Sequence, residues 1–223
     1  MMNEITKNTR LSYDRMADEY VRRIYSELQH KPVDRQLLDR FAVRVTGSVC
    51  DLSCGPGHVA RYLHEHGVEV CGIDLSPGLV ERALQLNPGV DFQLGNMYAL
   101  DAADATWAGI VAFYSIIHVP RTDHVAVLSE ISRVLRPGGL LLLTFHIGDE
   151  VVHLDELWGQ AVSLDFYFFR TEEVADALRS AGFEVEEIIE RDPYPDVEAQ
   201  TRRGYVLASK RQLKTDENGQ AIT

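Results

Sequence analysis

The glycine-rich turn that joins a buried strand to a helix constrains this chain more than any other feature. Val49-Cys50-Asp51-Leu52-Ser53-Cys54 reads as a buried strand running into Gly55-Pro56-Gly57-His58, after which a helix begins. Val70-Cys71-Gly72-Ile73-Asp74 reads as a second buried strand that ends on a carboxylate. Glycines let a backbone pass close to a ligand with no Cβ in the way. A carboxylate at the end of the next strand can accept both hydroxyls of a ribose. Together these features predict a pocket for an adenosine-containing cofactor at the strand ends of an α/β sheet.

The rest of the chain supplies that sheet. Strands are predicted at about 49–53, 68–73, 90–94, 109–114 and 140–146, with helices between them at about 57–66, 77–86 and 122–135. Leu11, Tyr13, Met16, Tyr20, Ile24 and Leu28 recur at three- to four-residue spacing, which predicts one amphipathic helix over 10–28, and a second follows Pro32 over 33–45. A later helix at about 171–181 opens on Thr171, carries Glu172 and Glu173 in its first turn and closes on Gly182. Strands at about 183–190 and 204–209 complete the fold. Alternation of this kind demands a mostly parallel sheet with helices on both faces. The chain is expected to form one domain over 1–209. Residues 1–45 would be a helical lid, 146–170 an insertion at the acceptor pocket, and 210–223 a disordered tail.

Two cofactors compete for the turn. Gly55-Pro56-Gly57-His58-Val59-Ala60 satisfies the dinucleotide pattern, with Asp74 about 20 residues on. Asp51 argues for S-adenosylmethionine instead, because a carboxylate beside the loop suits an ammonium and repels a pyrophosphate. Some 45 residues before the first strand point the same way. The downstream segments then resemble the class I S-adenosylmethionine-dependent methyltransferases of the small-molecule type. The resemblance rests on Asp51 to Gly57, Gly72-Ile73-Asp74-Leu75-Ser76, Gly95-Asn96-Met97, Tyr114-Ser115-Ile116-Ile117-His118 and Leu135-Arg136-Pro137-Gly138-Gly139. It spans roughly residues 10 to 209, with Ser53 where the family usually has glycine and Asn96 where it often has aspartate.

The resemblance implies a Rossmann-like seven-stranded, mostly parallel sheet whose last strand inserts antiparallel. It implies that Asp51, Ser53, Gly55 and Gly57 hold the methionine end, Asp74 and Leu75 the ribose, and Asn96 and Met97 the adenine. Tyr114 would close the fourth strand end, and Tyr13 and Tyr20 would face the cofactor from a lid helix. The implied activity is methyl transfer to a small-molecule acceptor in the cytoplasm. A nicotinamide-dependent oxidoreductase, a non-catalytic cofactor-binding module and a protein or RNA methyltransferase of the same fold stay open as alternatives.

Charge and composition narrow the partners. A net charge of −12 over 223 residues repels phosphate backbones, so no nucleic acid is expected. No apolar run approaches the ~20 residues that span a bilayer. Cys50, Cys54 and Cys71 fall in or beside core strands, which fits reduced thiols in a cytoplasmic protein.

A sulfonium is already an activated methyl donor, so the protein must mainly position the acceptor and remove a proton where one must leave. His118, just past the fourth strand, is the candidate base. The acceptor is expected to carry an aromatic or apolar body and a polar or anionic handle. His146, Glu150 and Tyr167 are the candidates around the body, and Arg170, Arg191 and Arg202 for the handle. Val162 to Phe169 is too aromatic for a solvated loop and is expected to form a wall or an extra strand over the site. The density of His and acids from His146 to Glu156 allows a divalent metal, but no metal is expected.

Overall fold

The computed structural model describes residues 3–212, 214–215 and 221–222. Two helices, α1 (Glu4–Arg15) and α2 (Ala17–Ile24), a 3₁₀ turn (Glu27–His30) and α3 (Pro32–Arg44) lead into the alternating core. That core runs β1 (Val49–Leu52), α4 (His58–Glu65), β2 (Val70–Asp74), α5 (Pro77–Leu86), β3 (Asp91–Leu94), β4 (Trp107–Phe113), α6 (His124–Val134) and β5 (Leu135–His146). A hairpin of β6 (Val151–Leu157) and β7 (Gln160–Tyr167) follows, then α7 (Thr171–Ser180), β8 (Phe183–Arg191) and β9 (Arg203–Lys210). Lys210 ends β9, and the short strands β10 (Lys214–Thr215) and β11 (Ala221–Ile222) pair with each other antiparallel. The other residues expected in a tail, 213, 216–220 and 223, lie outside the described residues.

The main sheet has seven strands in the order β3-β2-β1-β4-β5-β9-β8. Strands β3 to β5 are mutually parallel, and β9 lies antiparallel between β5 and β8, as the resemblance implies. Both faces are covered, so the central strands are apolar on both sides. Ile110, Ala112, Leu141 and Leu143 pack with α6 and α7, while Val111, Leu140 and Leu142 pack on the face of α3 and α4. That period-two split is what a strand buried on two faces must show. The strand order reverses between β1 and β4, and a cleft opens there at the carboxyl ends.

The glycine turn is built as packing demands. Gly57 sits at the N-cap of α4 with φ 78°, a left-handed conformation. A Cβ there would lie 2.5 Å from Phe92 Cζ and 2.7 Å from Asn87 Nδ2. The ring of Phe92 also fills the space over Gly72, where a Cβ would lie 2.4 Å from Phe92 Cδ1. Packing thus requires that Gly57 carry no side chain.

Two readings change. The single helix expected over 10–28 is broken at Met16 (φ −100°, ψ 13°), whose buried side chain packs on Val162 and Leu164 of the hairpin. The aromatic run becomes β7, and its partner β6 had no strand signal of its own. Trp158 (φ 53°) and Gly159 (φ 77°) join them, and two consecutive left-handed residues are the turn whose twist matches a hairpin.

Gly57→Ala should destabilise the fold by about 1–2 kcal/mol for the left-handed backbone and about 1–3 kcal/mol for crowding Phe92. Denaturant unfolding measures this, and an unchanged midpoint would show that Phe92 moves aside.

Candidate functional site

The carboxyl ends of β1, β2 and β4 open onto a cavity of about 740 Å³. Ser53, Gly55, Asp74, Leu75, Asn96, Met97 and Tyr114 line it from the sheet, and Thr6, Thr9, Tyr13 and Tyr20 cover it from α1 and α2. Asp74 anchors the floor: Oδ2 accepts the Gly55 N–H at 2.8 Å and Oδ1 accepts the Ser76 N–H at 2.9 Å. Burial pushes its carboxyl above the usual range, and those backbone N–H groups oppose the shift. Each oxygen keeps a lone pair for a further donor. Asn96 Oδ1 accepts the Tyr98 N–H at 3.1 Å, which fixes the amide's orientation and leaves its NH₂ uncommitted.

Asp51 lies under the loop and accepts the Ala60 N–H at 2.9 Å. It faces a recess of about 310 Å³ with Glu27, Ser53, Gly55 and His58 that shares Tyr20 and Tyr114 with the larger cavity. Burial pushes its carboxyl up to about 8 against the opposing Ala60 bond. Burial also acts to raise Glu27, but contacts with His58 and Lys31 outweigh it and hold that carboxyl at about 2. Two acidic side chains, Asp51 and the ionised Glu27, thus flank the end of the cavity that would take an ammonium. Ser115 Oγ and Tyr114 Oη are buried without a hydrogen-bond partner among the described residues, and both residues line the cavity. Unsatisfied buried polar atoms of this kind fit a polar ligand. These residues fit S-adenosylmethionine.

A second cavity, of about 1730 Å³, lies on the other side of three tyrosines. Tyr13, Tyr20 and Tyr114 line both spaces. Tyr13 and Tyr20 pack edge to face with centroids 5.3 Å apart. One wall of the second cavity is apolar, made by Leu154, Leu157, Trp158, Phe166 and Phe168 of the hairpin and its exit. The rest of its lining includes Lys31, Glu27, Glu198, Arg203 and His146.

His118 lines the smaller cavity and makes two ring bonds. Its Nδ1 lies 2.8 Å from the Asp165 carbonyl oxygen, which can only accept, so Nδ1 carries the proton. Its Nε2 lies 2.8 Å from Tyr13 Oη and takes that hydroxyl's proton in hydrogen bonding. Burial lowers the imidazole to about 4, the Asp165 carbonyl opposing. The ring is therefore a neutral acceptor at physiological pH.

The charged residues fall differently from the sequence reading. Arg170 and Arg202 are exposed and line neither cavity, and Arg202 pairs with Glu190 at 2.9 Å. Arg191 is bound to Glu198, to Asp34 at 3.1 Å and to Tyr205 Oη at 2.7 Å, behind the cavity wall. Glu150 is exposed at the start of the hairpin and caps the Asp149 N–H. Tyr167 turns away because strand alternation gives the cavity Phe166 and sends Tyr167 to the other face, where it stacks on Phe169. Of the acceptor candidates, His146 lines the cavity.

Lys31 and Arg203 were missed. Lys31 is buried and pairs with Glu27 at 2.8 Å and Glu198 at 3.4 Å. Arg203 is the immediate neighbour of Arg202, and the signal was there: the first residue of a strand faces the opposite way from the loop residue before it. Among the described residues, no group of three or more His, Cys, Asp or Glu side chains is placed to hold a metal ion.

Comparison with known proteins agrees with this geometry. Residues 49–139 match the Methyltransferase domain family. Malonyl-[acyl-carrier protein] O-methyltransferase of Enterobacter lignolyticus is 29% identical over 148 residues, 66% of this chain and 57% of that protein. Demethylmenaquinone methyltransferase of Beutenbergia cavernae is 33% identical over 109 residues, 49% of this chain and 45% of that protein. The chain thus spans about half the length of these curated relatives. The fold is shared with magnesium protoporphyrin IX methyltransferase of Synechocystis, solved with bound S-adenosylmethionine, at a TM-score of 0.69 and 16% identity over 93% of this chain and 98% of that one. Five ordered motifs, the seven-stranded sheet with its antiparallel insertion and the domain match lead to one conclusion: residues 49–139 carry a domain of the Methyltransferase domain family, set in the fold shared with the S-adenosylmethionine-bound enzyme of Synechocystis.

Proposed function

We propose that this chain moves a methyl group from S-adenosylmethionine in the smaller cavity to a small-molecule acceptor in the larger one, in the cytoplasm. The observation that carries this reading is the shared wall of Tyr13, Tyr20 and Tyr114, which brings two cavities into contact at one place. The three cysteines are free thiols, which suits a reducing compartment. No helix among the described residues is long and apolar enough to cross a membrane. The larger cavity's hairpin wall supports an acceptor with an apolar body. Names of relatives such as the malonyl-[acyl-carrier protein] and demethylmenaquinone enzymes support methyl transfer over the nicotinamide alternative.

The bound cofactor would supply an electrophilic methyl group on sulfur. Asp74 takes the ribose hydroxyls, Asn96 and Met97 the adenine edge, and Asp51 with Glu27 the ammonium. The tyrosines exclude water from the line between donor and acceptor. His118 does not line the acceptor cavity, whereas Tyr13 lines both and binds His118 Nε2. An acceptor proton therefore passes to the Tyr13 oxygen while the Tyr13 proton moves to His118, and the imidazolium formed is held by the Asp165 carbonyl.

The direct test is release of S-adenosylhomocysteine on incubation with a library of small acceptors. Asp74→Ala should weaken S-adenosylhomocysteine binding by about 1–3 kcal/mol, measured by calorimetry, and an unchanged affinity in the folded variant would remove Asp74 from the ribose. Asp51 at about 8 is mostly protonated at pH 7, and a bound ammonium lowers its pKa. Binding of S-adenosylhomocysteine at pH 7 should therefore release up to about one proton. Calorimetry in buffers of different ionisation enthalpy reads this directly, and proton uptake would contradict it.

His118→Ala and Tyr13→Phe should each lower turnover by about 10²- to 10⁴-fold. The double variant should be little worse than either single one, because the two groups act as a unit. With His118 held near 4, turnover should persist below pH 6 and fall only as pH approaches that value. An acid limb near pH 6.5, or fully additive losses, would rule the relay out.

A further inference from the structure

His146 ends β5 in the wall of the larger cavity, between the rings of Tyr114 and Phe168 at centroid distances of 5.2 and 5.3 Å. Its Nδ1 lies 2.6 Å from Arg203 Nη1 and 2.8 Å from Thr201 Oγ1. A guanidinium donates and never accepts, so Nδ1 is the unprotonated nitrogen and Nε2 carries the hydrogen. Arg203 cannot turn away. It is buried, its Nε lies 3.3 Å from Glu198, and its remaining donors reach the Ala199 and Thr201 carbonyls. Burial and the adjoining Arg203 charge also keep the imidazole neutral, lowered to about 3. Nε2–H makes no hydrogen bond to any described residue. It is a donor fixed in tautomer and orientation by the side chain behind it.

We infer that His146 Nε2–H reads an oxygen of the acceptor, a carbonyl or an oxyanion, and selects such acceptors over those that present an amine N–H at the same point. This rests on the reading of the larger cavity as the acceptor's. Two N–H groups facing each other would leave both unsatisfied away from water, whereas an oxygen satisfies His146. The surrounding charges do not oppose an oxyanion. The carboxylates on this wall are already engaged, Glu198 by Lys31, Arg191 and Arg203, and Glu27 by Lys31 and His58. Asp196 lies exposed at the rim. The flat faces of Phe168 and Tyr114 beside the donor suit a planar group carrying that oxygen. His146 is thus a specificity-determining contact, separate from the Tyr13–His118 pair.

The test uses p-nitrophenolate and 4-nitroaniline, isosteric planar probes that differ in offering an oxygen or an amine. Both are titrated by absorbance into the protein saturated with S-adenosylhomocysteine. The phenolate should bind at least tenfold more tightly than the aniline, and His146→Phe, which keeps the stacking face, should bring the two within threefold. Phenolate binding that is absent, or no tighter than that of the aniline, overturns the assignment, as does a preference that survives in His146→Phe. Nitrogen-15 spectra of the native protein give a second readout that needs no variant. They should show His146 neutral and protonated on Nε2 at pH 6, and an Nδ1–H ring would overturn the inference. Calorimetry with S-adenosylhomocysteine keeps the two readings apart. If that ligand fails to bind the native protein, the cofactor reading falls; if it binds and the probes are not discriminated, only the role of His146 falls.

Discussion

One carboxylate ties this site together. Asp74 takes the Gly55 N–H with one oxygen and the Ser76 N–H with the other, so the end of β2 fixes both the glycine loop after β1 and the start of α5. The chain of contacts continues outward. Ser76 Oγ donates to Asp14 at 2.6 Å, and Asp14 also accepts the Gly78 N–H at 2.9 Å. The lid helix therefore docks on the first turn of the same helix whose approach is set by Asp74. A buried carboxylate is costly unless its lone pairs are used, and here backbone donors use two of them. Asp74 also lines the cavity. Loop, strand end and α1 thus share one polar centre.

The larger cavity rests on a different arrangement. Lys31, Arg191 and Arg203 interleave with Glu27, Asp34 and Glu198 beneath the loop between β8 and β9. Such clusters seldom stabilise a fold beyond what apolar packing would, because desolvation offsets the attraction. Their effect here is geometric. Glu198 is gripped by three cations from three segments and also accepts the Tyr194 N–H at 2.8 Å, which fixes a long irregular connection as one wall of a cavity. Lys31 and Arg203 stand over the Tyr114 ring, each 5.3 Å from its centroid. The wall between the two cavities is thereby held from the acceptor side.

The sheet was legible because its signals are local and repeated. Period-two burial, glycine turns and helix caps each act within a few residues, and they agree with one another along the chain. The smaller cavity and its recess were legible for the same reason: Asp51, Ser53, Gly55 and Asp74 lie next to the turn that defines them. The larger cavity was not. Lys31 comes before the first strand and Arg203 begins the last strand of the main sheet, and only the closed sheet places them on one wall. Strand parity decided Tyr167 against Phe166 and Arg202 against Arg203, and a register error of one residue inverts such assignments. The motif marks Gly57, and the space that its missing side chain leaves is taken by Phe92 from β3. The break at Met16 left no local mark, since methionine fits a helix well and its role is set by the hairpin it meets.

The helix α1, which covers the smaller cavity, is held down by polar bonds along its length. Besides Asp14, α1 is fastened by Ser12, whose Oγ accepts the Ser163 N–H at 2.9 Å, by Arg15 on the Ala161 carbonyl at 2.7 Å and by Tyr13 on His118. These are contacts of side chains with backbone or with one another, each worth about 0.5–1.5 kcal/mol net, and they add to the apolar seat of Met16 on Val162 and Leu164. In the reaction proposed above, displacing α1 would break the Tyr13–His118 bond and, with it, the proton path from the larger cavity to His118. The hairpin takes part in this docking, because Ser163 and Ala161 on β7 hold α1 while Asp165, also on β7, fixes the tautomer of His118. One strand, expected from its aromatic run as a wall or an extra strand, thus sets both the seat of α1 and the tautomer of His118.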